Sequence, residues 1–134
     1  MTNNTFSGNT ASTSGVTIEQ DGSIATITNS IFSGGSPDNC HTNGGTIVSG
    51  GHNIDSGNSC GFNATGDATS TDPLLDPNGL QDNGGPTKTI ALLSNSPAID
   101  AGDDTVAPST DQRGIARPQD GNGDGTAVSD IGAY

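Results

Sequence analysis

The heptapeptide Thr2-Asn3-Asn4-Thr5-Phe6-Ser7-Gly8 returns as Thr28-Asn29-Ser30-Ile31-Phe32-Ser33-Gly34, with five of the seven positions identical. A weaker third copy, Ser49-Gly50-Gly51-His52-Asn53-Ile54, sets Asn53 at a similar interval after Asn29. These intervals fall within the period of roughly 20–50 residues that marks a chain stacking one small unit on the next. Gly, Asn, Ser and Thr crowd these units and helix formers are scarce, so each unit is expected to be a β-coil. The runs Val16-Thr17-Ile18, Ile24-Ala25-Thr26-Ile27, Ile31-Phe32, Thr46-Ile47-Val48 and Ile54 are apolar or β-branched and of strand length, and Gly, Asn, Asp and Ser clusters separate them. Residues 1–64 are therefore predicted to form coils of three short strands with tight turns. Asn3, Asn29 and Asn53 are expected to stack at one bend, their amides bonding along the ~4.8 Å strand spacing. Phe6 and Phe32 are expected to stack inside. The alternative use of such a ladder is to bind sugar.

Composition narrows the function classes. The chain has 134 residues, enough for one domain, but only 28% are hydrophobic and 3% aromatic. A conventional core needs more apolar material, and low hydrophobicity with high charge can mean disorder. Against disorder, the apolar residues recur in register, and a stack of coils buries only a thin inner stripe. The net charge of −12 excludes nucleic acid as a partner, since phosphate binding needs a basic footprint, and disfavours an anionic membrane surface. No run approaches the ~20 apolar residues that span a bilayer. The first residues lack a basic segment followed by an apolar stretch. If the protein is exported, this chain is then the processed part or a fragment. Met1 falls inside the first repeat copy, which reads as a start imposed on an array already running. An acidic, Gly- and Asn-rich surface suits an extracellular setting with divalent cations.

Cys40 and Cys60 are too few for a four-ligand zinc site. They form a disulfide in an oxidising compartment; the alternative is two free thiols. His41 and His52 lack ligand-like neighbours and read as surface or turn residues.

Residues 65–134 change character. Asp72-Pro73-Leu74-Leu75-Asp76-Pro77 is an extended segment framed by prolines, and Asp82-Asn83-Gly84-Gly85-Pro86 is a turn. Thr89-Ile90-Ala91-Leu92-Leu93 is the densest apolar run. This half is predicted to be an irregular cap packed on the coils. Asp120-Gly121-Asn122-Gly123-Asp124-Gly125-Thr126 matches the first half of a calcium loop, with side-chain oxygens at positions 1, 3 and 5, Gly at 6 and a carbonyl at 7. Ile131 stands where the closing Glu is usual, and Asp130 beside it can close the site instead. The candidate ligands are therefore Asp120, Asn122, Asp124, Thr126 and Asp130, with Ca²⁺ as the cofactor; the alternative is a solvated turn. Asp103 and Asp104 form a weaker acidic cluster. Asp111, Arg113 and Arg117 are read as an ion-pair group that pins the tail. No nucleophile elbow is present, and fifteen acidic residues make chance carboxylate pairs inevitable, so no catalytic residue is assigned.

The order of these segments resembles a known family. It runs Asn39-Cys40, Gly51-His52-Asn53-Ile54-Asp55, Ser59-Cys60-Gly61-Phe62, Asp72-Pro73-Leu74-Leu75, Asp82-Asn83-Gly84-Gly85-Pro86-Thr87, Ala91-Leu92-Leu93, Ser96-Pro97-Ala98-Ile99-Asp100-Ala101-Gly102 and Asp111-Gln112-Arg113-Gly114, ending Arg117-Pro118 and Asp130-Ile131-Gly132-Ala133-Tyr134. The chain is similar to bacterial surface proteins with right-handed parallel β-helix repeats and a choice-of-anchor type C-terminal region. The resemblance implies an all-β fold, a right-handed parallel β-helix of a few coils followed by an irregular C-terminal cap, in an exported protein. It implies no activity, because folds host many functions. The expected role is that of a non-enzymatic extracellular structural protein, a solenoid subunit of a surface layer or filament that assembles end to end with copies of itself. The alternatives are an adhesin or glycan-binding fragment and a remnant of a polysaccharide lyase.

Overall fold

Short β-branched runs between glycines become short strands. The computed structural model describes residues 1–12 and 17–134. Val16, the first residue of one predicted strand run, lies outside the described residues. The strands are β1 (Thr5–Ser7), β2 (Ile18–Asp21), β3 (Ile24–Thr28), β4 (Ile31–Ser33), β5 (Cys40–Asn43), β6 (Thr46–Gly51), β7 (Ile54–Asp55) and β8 (Ala68–Thr69). They form a four-stranded sheet in the order β1-β4-β7-β8 and two two-stranded sheets, β2-β5 and β3-β6. Every pairing between these strands is parallel. The chain thus visits three strand positions twice in succession.

The expected right-handed parallel β-helix is corrected by this topology. Three small parallel sheets stand in its place, and among the described residues no long solenoid runs through the chain. The physical reason lies in the spacing of paired residues. Thr5 pairs with Ile31, the separation of 26 that also divides the bonded Asn4 and Ser30. Ile31 pairs with Ile54, the separation of 23 that divides Ser30 from Asn53. Ile54 then pairs with Ala68, and here the separation falls to the 14 that divides Asn53 from Asp67. So short a segment cannot supply three strands and three bends at ~3.3 Å per residue around a filled interior. Only one of the three positions therefore continues past the second pass. Beyond Thr69 the described bridges are isolated and antiparallel, such as Leu75 with Leu92 and Gln81 with Thr89.

Two clusters hold the fold. Inside the passes, Ile18, Ile27, Phe32, Cys40, Cys60 and Phe62 are buried, with Phe6 and Ile47 packed against them. Phe6 stacks on Phe32 at 4.9 Å between centroids, and Phe62 meets Phe32 edge-on at 5.6 Å. On the outer face of the four-stranded sheet, Ile31 and Ile54 pack against Ala98 and Ile131, flanked by Leu75 and Leu92. Residues of the C-terminal half thus cover that face. This explains why both Ile31 and Phe32, on opposite faces of β4, have no exposed surface.

Cys40 and Cys60 are joined, at a sequence separation of 20 and with Cα atoms 4.8 Å apart. The bond ties β5 to the segment that leads to Phe62. Breaking it with a Cys40→Ser/Cys60→Ser pair is expected to cost about 3 kcal/mol, chiefly through the freed unfolded chain. A denaturant titration of the oxidised and double-variant proteins checks this.

Candidate functional site

The acidic loop is built from its own side chains. The Asp120 carboxylate accepts the N–H groups of Gly123 at 2.7 Å, Asp124 at 3.2 Å and Gly125 at 2.9 Å. Asn122 Oδ1 accepts Asp124 N–H at 2.8 Å, and Asp124 Oδ1 accepts Thr126 N–H at 2.8 Å. Short Asp and Asn side chains fold back this way because their oxygens reach a backbone donor two residues on. Gly123 and Gly125 take positive φ, of 77° and 92°, which lets the loop curl around Asp120. Three oxygen-bearing side chains, Asp120, Asn122 and Asp124, are thereby gathered on one turn.

The structure adds Asp100, which sequence spacing did not single out. Its carboxylate accepts the N–H of Gly121 at 3.1 Å and of Asn122 at 2.8 Å. Asp130 Oδ1 accepts the N–H of Asp100 at 2.9 Å. A Cβ on Gly121 would stand 3.6 Å from Asp100 Oδ1 and 3.7 Å from Asp130 Oδ1, so both carboxylates flank the loop's second residue. Burial raises the Asp130 pKa above the usual carboxylate range, and the neighbouring Asp100 charge adds to the rise, while the Asp100 N–H and Arg117 oppose it. Asp100 stands on a separate turn well before the loop, and no local spacing rule could have placed it there. Among the described residues, no three Asp, Glu, His or Cys side chains converge as a ligand cluster. Asp130 is held with Asp100 rather than drawn to Asp120 and Asp124. The donor set is nonetheless one of hard oxygens, the type calcium takes.

Asp103 and Asp104 are engaged elsewhere. Asp103 Oδ1 accepts from the N–H and hydroxyl of Thr105, which lowers its pKa. Asp104 Oδ1 accepts Ser129 N–H at 2.8 Å.

The tail beside the loop is fixed by the two arginines. Arg113 pairs with Asp111 at 2.6 Å and lies over the Tyr134 ring, 3.5 Å from its centroid. Arg117 Nη2 donates to the carbonyls of Gly132 and Tyr134, each at 2.8 Å. Burial lowers the Arg117 pKa, against the pull of Asp111 and Asp130. Ile131 N–H donates to Ala98, Gly132 N–H to Asn29 and Ala133 N–H to Thr5 Oγ1. The tail therefore lies directly on β1 and on the bend before β4.

That bend carries the asparagines. Asn3 and Asn29 both adopt left-handed backbone, with φ of 53° and 50°. Asn enters this conformation more readily than most residues. Here both side chains bond far along the chain, Asn3 to the Asp130 and Gly132 carbonyls and Asn29 to Asp103. Asn29 Nδ2 donates to Asn3 Oδ1 at 3.2 Å. Asn53 stands one residue out of the expected register. Pairing of Ile31 with Ile54 sets His52 (φ 55°) opposite Asn29. Asn53 Oδ1 instead accepts the N–H of Ser30 at 2.9 Å, and its Nδ2 donates to the Ile27 carbonyl at 3.0 Å. His52 Nδ1 lies 2.7 Å from the Ala101 carbonyl, so the third bend also faces the C-terminal half.

Hollows near these residues are small. One of about 160 Å³ lies among Thr5, Lys88, Gln112 and Tyr134, and one of about 270 Å³ among Asn3, Asn4, Gln112 and Arg117. Among the described residues, no helix is long and apolar enough to cross a membrane. No protein-family model matches the chain, and neither a curated protein nor a solved structure proves similar to it.

Proposed function

We propose that this chain is a non-enzymatic structural protein of the cell exterior, steadied by calcium and associating with copies of itself through open strand edges. The observation that carries the reading is one-sided pairing. Among the described residues, β5, β6 and β8 each have one strand partner, so the later strands leave one side of their backbone without a strand beside it. Open edges of this kind are templates for pairing with another chain. The disulfide supports an oxidising exterior. The motif order, with its likeness to exported bacterial surface proteins, points the same way. A monomer by sedimentation at every concentration and calcium level would count against the reading.

The glycan-binding alternative draws less support. Phe32 and Phe62 are buried in the interior, Phe6 is stacked on Phe32, and Tyr134 lies under Arg113. These are all the aromatic side chains of the protein, so little ring surface is left for a sugar to stack on.

Calcium would be held by Asp120, Asn122, Asp124 and the Thr126 carbonyl, with Asp130 or Asp100 as the closing carboxylate. Asp124→Ala is expected to lower the thermal midpoint in calcium and leave it unchanged in chelator. Equal shifts in both conditions would argue for a plain hydrogen-bonded turn.

A further inference from the structure

Phe6, Phe32, Asp55 and Thr69 are successive partners in register across the four-stranded sheet. Partners in a parallel ladder share a face, and Phe6 and Phe32 turn theirs to the interior. The next place in that inward row is therefore taken by a carboxylate. Asp55 has no exposed surface. Among the described residues no cation pairs with it; the salt bridge they contain joins Arg113 to Asp111. A carboxylate held dry in this way depends on the hydrogen-bond donors brought to it.

Those donors come from the two segments that carry the cysteines. Asp55 Oδ1 accepts Asn39 Nδ2 at 2.7 Å and the N–H of Gly57 at 2.9 Å, and Oδ2 accepts the N–H of Cys60 at 3.0 Å. Asn39 immediately precedes Cys40. Ser59, immediately before Cys60, accepts the Cys40 N–H on its Oγ at 3.1 Å. One buried side chain thus grips both cysteine segments, the first beside its cysteine and the second at the cysteine itself. Just past Cys60, Phe62 is buried and meets Phe32 edge-on at 5.6 Å. The loop that Asp55 gathers therefore delivers the ring that the inward row lacks at its third place.

We infer that Asp55 is the positioning residue of a redox-sensitive latch: it holds Cys40 and Cys60 together, and opening their disulfide releases residues 56–62 from the interior. A small thiol such as glutathione opens it by exchange. The Cys40–Cys60 bond breaks, both cysteines gain a hydrogen, and two thiol molecules are oxidised to their disulfide. The Cys60 segment is then held by hydrogen bonds alone. As it leaves, Asp55 Oδ2 exchanges the Cys60 N–H for water, and Phe62 moves off Phe32. The coupling is reciprocal: whatever Asp55 adds to closing the disulfide, the disulfide adds to keeping Asp55 buried. The pairings of β1 with β4 and of β3 with β6 do not run through this loop and persist after reduction. None of the latch groups belongs to the acidic loop, so the latch stands apart from calcium and from self-association.

The test is equilibration of the full chain in glutathione redox buffers without denaturant, with the oxidised fraction read by thiol alkylation and mass. Asp55→Asn keeps the size of the side chain but turns one acceptor oxygen into a donor, so it cannot meet all the N–H groups that Asp55 accepts. It is expected to lower the equilibrium constant for disulfide formation by about tenfold, a change of about 30 mV. Asp111→Asn is the control, because it alters a buried carboxylate bonded to Arg113 and not to either cysteine segment. It should leave that constant unchanged. In the reduced, unaltered chain, hydrogen exchange is expected to quicken at Gly57 and Cys60 and to stay slow at Ile31 and Thr46, whose N–H groups bond to Asn4 and Ser23. If Asp55→Asn fails to fold, Asn39→Ala removes the donor on the Cys40 side and takes its place, and exchange in the unaltered chain decides if that fails too. An unchanged constant in Asp55→Asn, or an equal fall in Asp111→Asn, overturns Asp55 as the positioning residue. Protection that survives reduction at Gly57 and Cys60, or is lost equally at Ile31 and Thr46, overturns the latch.

Discussion

Phe32→Ala is expected to destabilise the protein by about 3–5 kcal/mol, the range for emptying a large buried aromatic site. Phe32 has no exposed surface and lies between Phe6 and Phe62, within contact of both rings. Its loss removes the middle of that stack. The surrounding strands of all three sheets are tied by their ladders and by the disulfide, so the site cannot readily close around the gap. Phe6→Ala should cost clearly less, because Phe6 is half-buried and contacts the stack from one side. Chemical denaturation of both variants in the oxidised state checks the order. Equal costs would mean that the ring stack is not the centre of the core.

Asn29→Ala is expected to cost a similar amount for a different reason. Asn29 is fully buried and has left-handed backbone at φ 50°. Its Oδ1 accepts Asp103 N–H at 2.9 Å, and its Nδ2 donates to Asp103 O at 3.0 Å and to Asn3 Oδ1 at 3.2 Å. Alanine leaves these groups without their partner, at about 1–3 kcal/mol for each that stays dry. It also places alanine, which enters the left-handed region less readily than Asn, at that backbone, at a further cost of about 1 kcal/mol. Asn29→Gly separates the two effects, since glycine adopts that backbone freely. Asn29→Gly should recover only the backbone share. Full recovery would show that the bonds to Asp103 contribute little. Because Asp103 belongs to the C-terminal half, the variant should also speed hydrogen exchange around residues 98–104 and 129–132 ahead of global unfolding.

Asn29 shows where local reading succeeds and stops. Its repetition after Asn3 announces a bend that recurs, and the two amides do meet. The third rung differs from this pattern. Counting from the asparagines selects Asn53, whereas strand pairing selects His52, because Ile54 aligns on Ile31 to keep both in the outer cluster. Register follows which face a side chain buries, and that face is created by the C-terminal half.

The acidic loop divides in the same way. Asp120, Asn122 and Asp124 were legible because their spacing is local and their oxygens cap nearby N–H groups. Asp100 was not, since it reaches the loop only through the packing of residues 98–102 against the tail.

The amino-acid sequence by itself determined the repeat, the strand-forming runs, the recurring left-handed asparagine, the aromatic pair and the curl of the acidic loop. All of these rest on contacts within a few residues or on one repeated phrase. The tertiary structure alone decided how many passes are made and what covers the outer sheet face. It also decided which carboxylates stand beside the loop. Those outcomes depend on the shortening of the third pass and on the docking of residues 98–134 against Ile31 and Ile54. They are long-range balances of space and burial that no local pattern encodes.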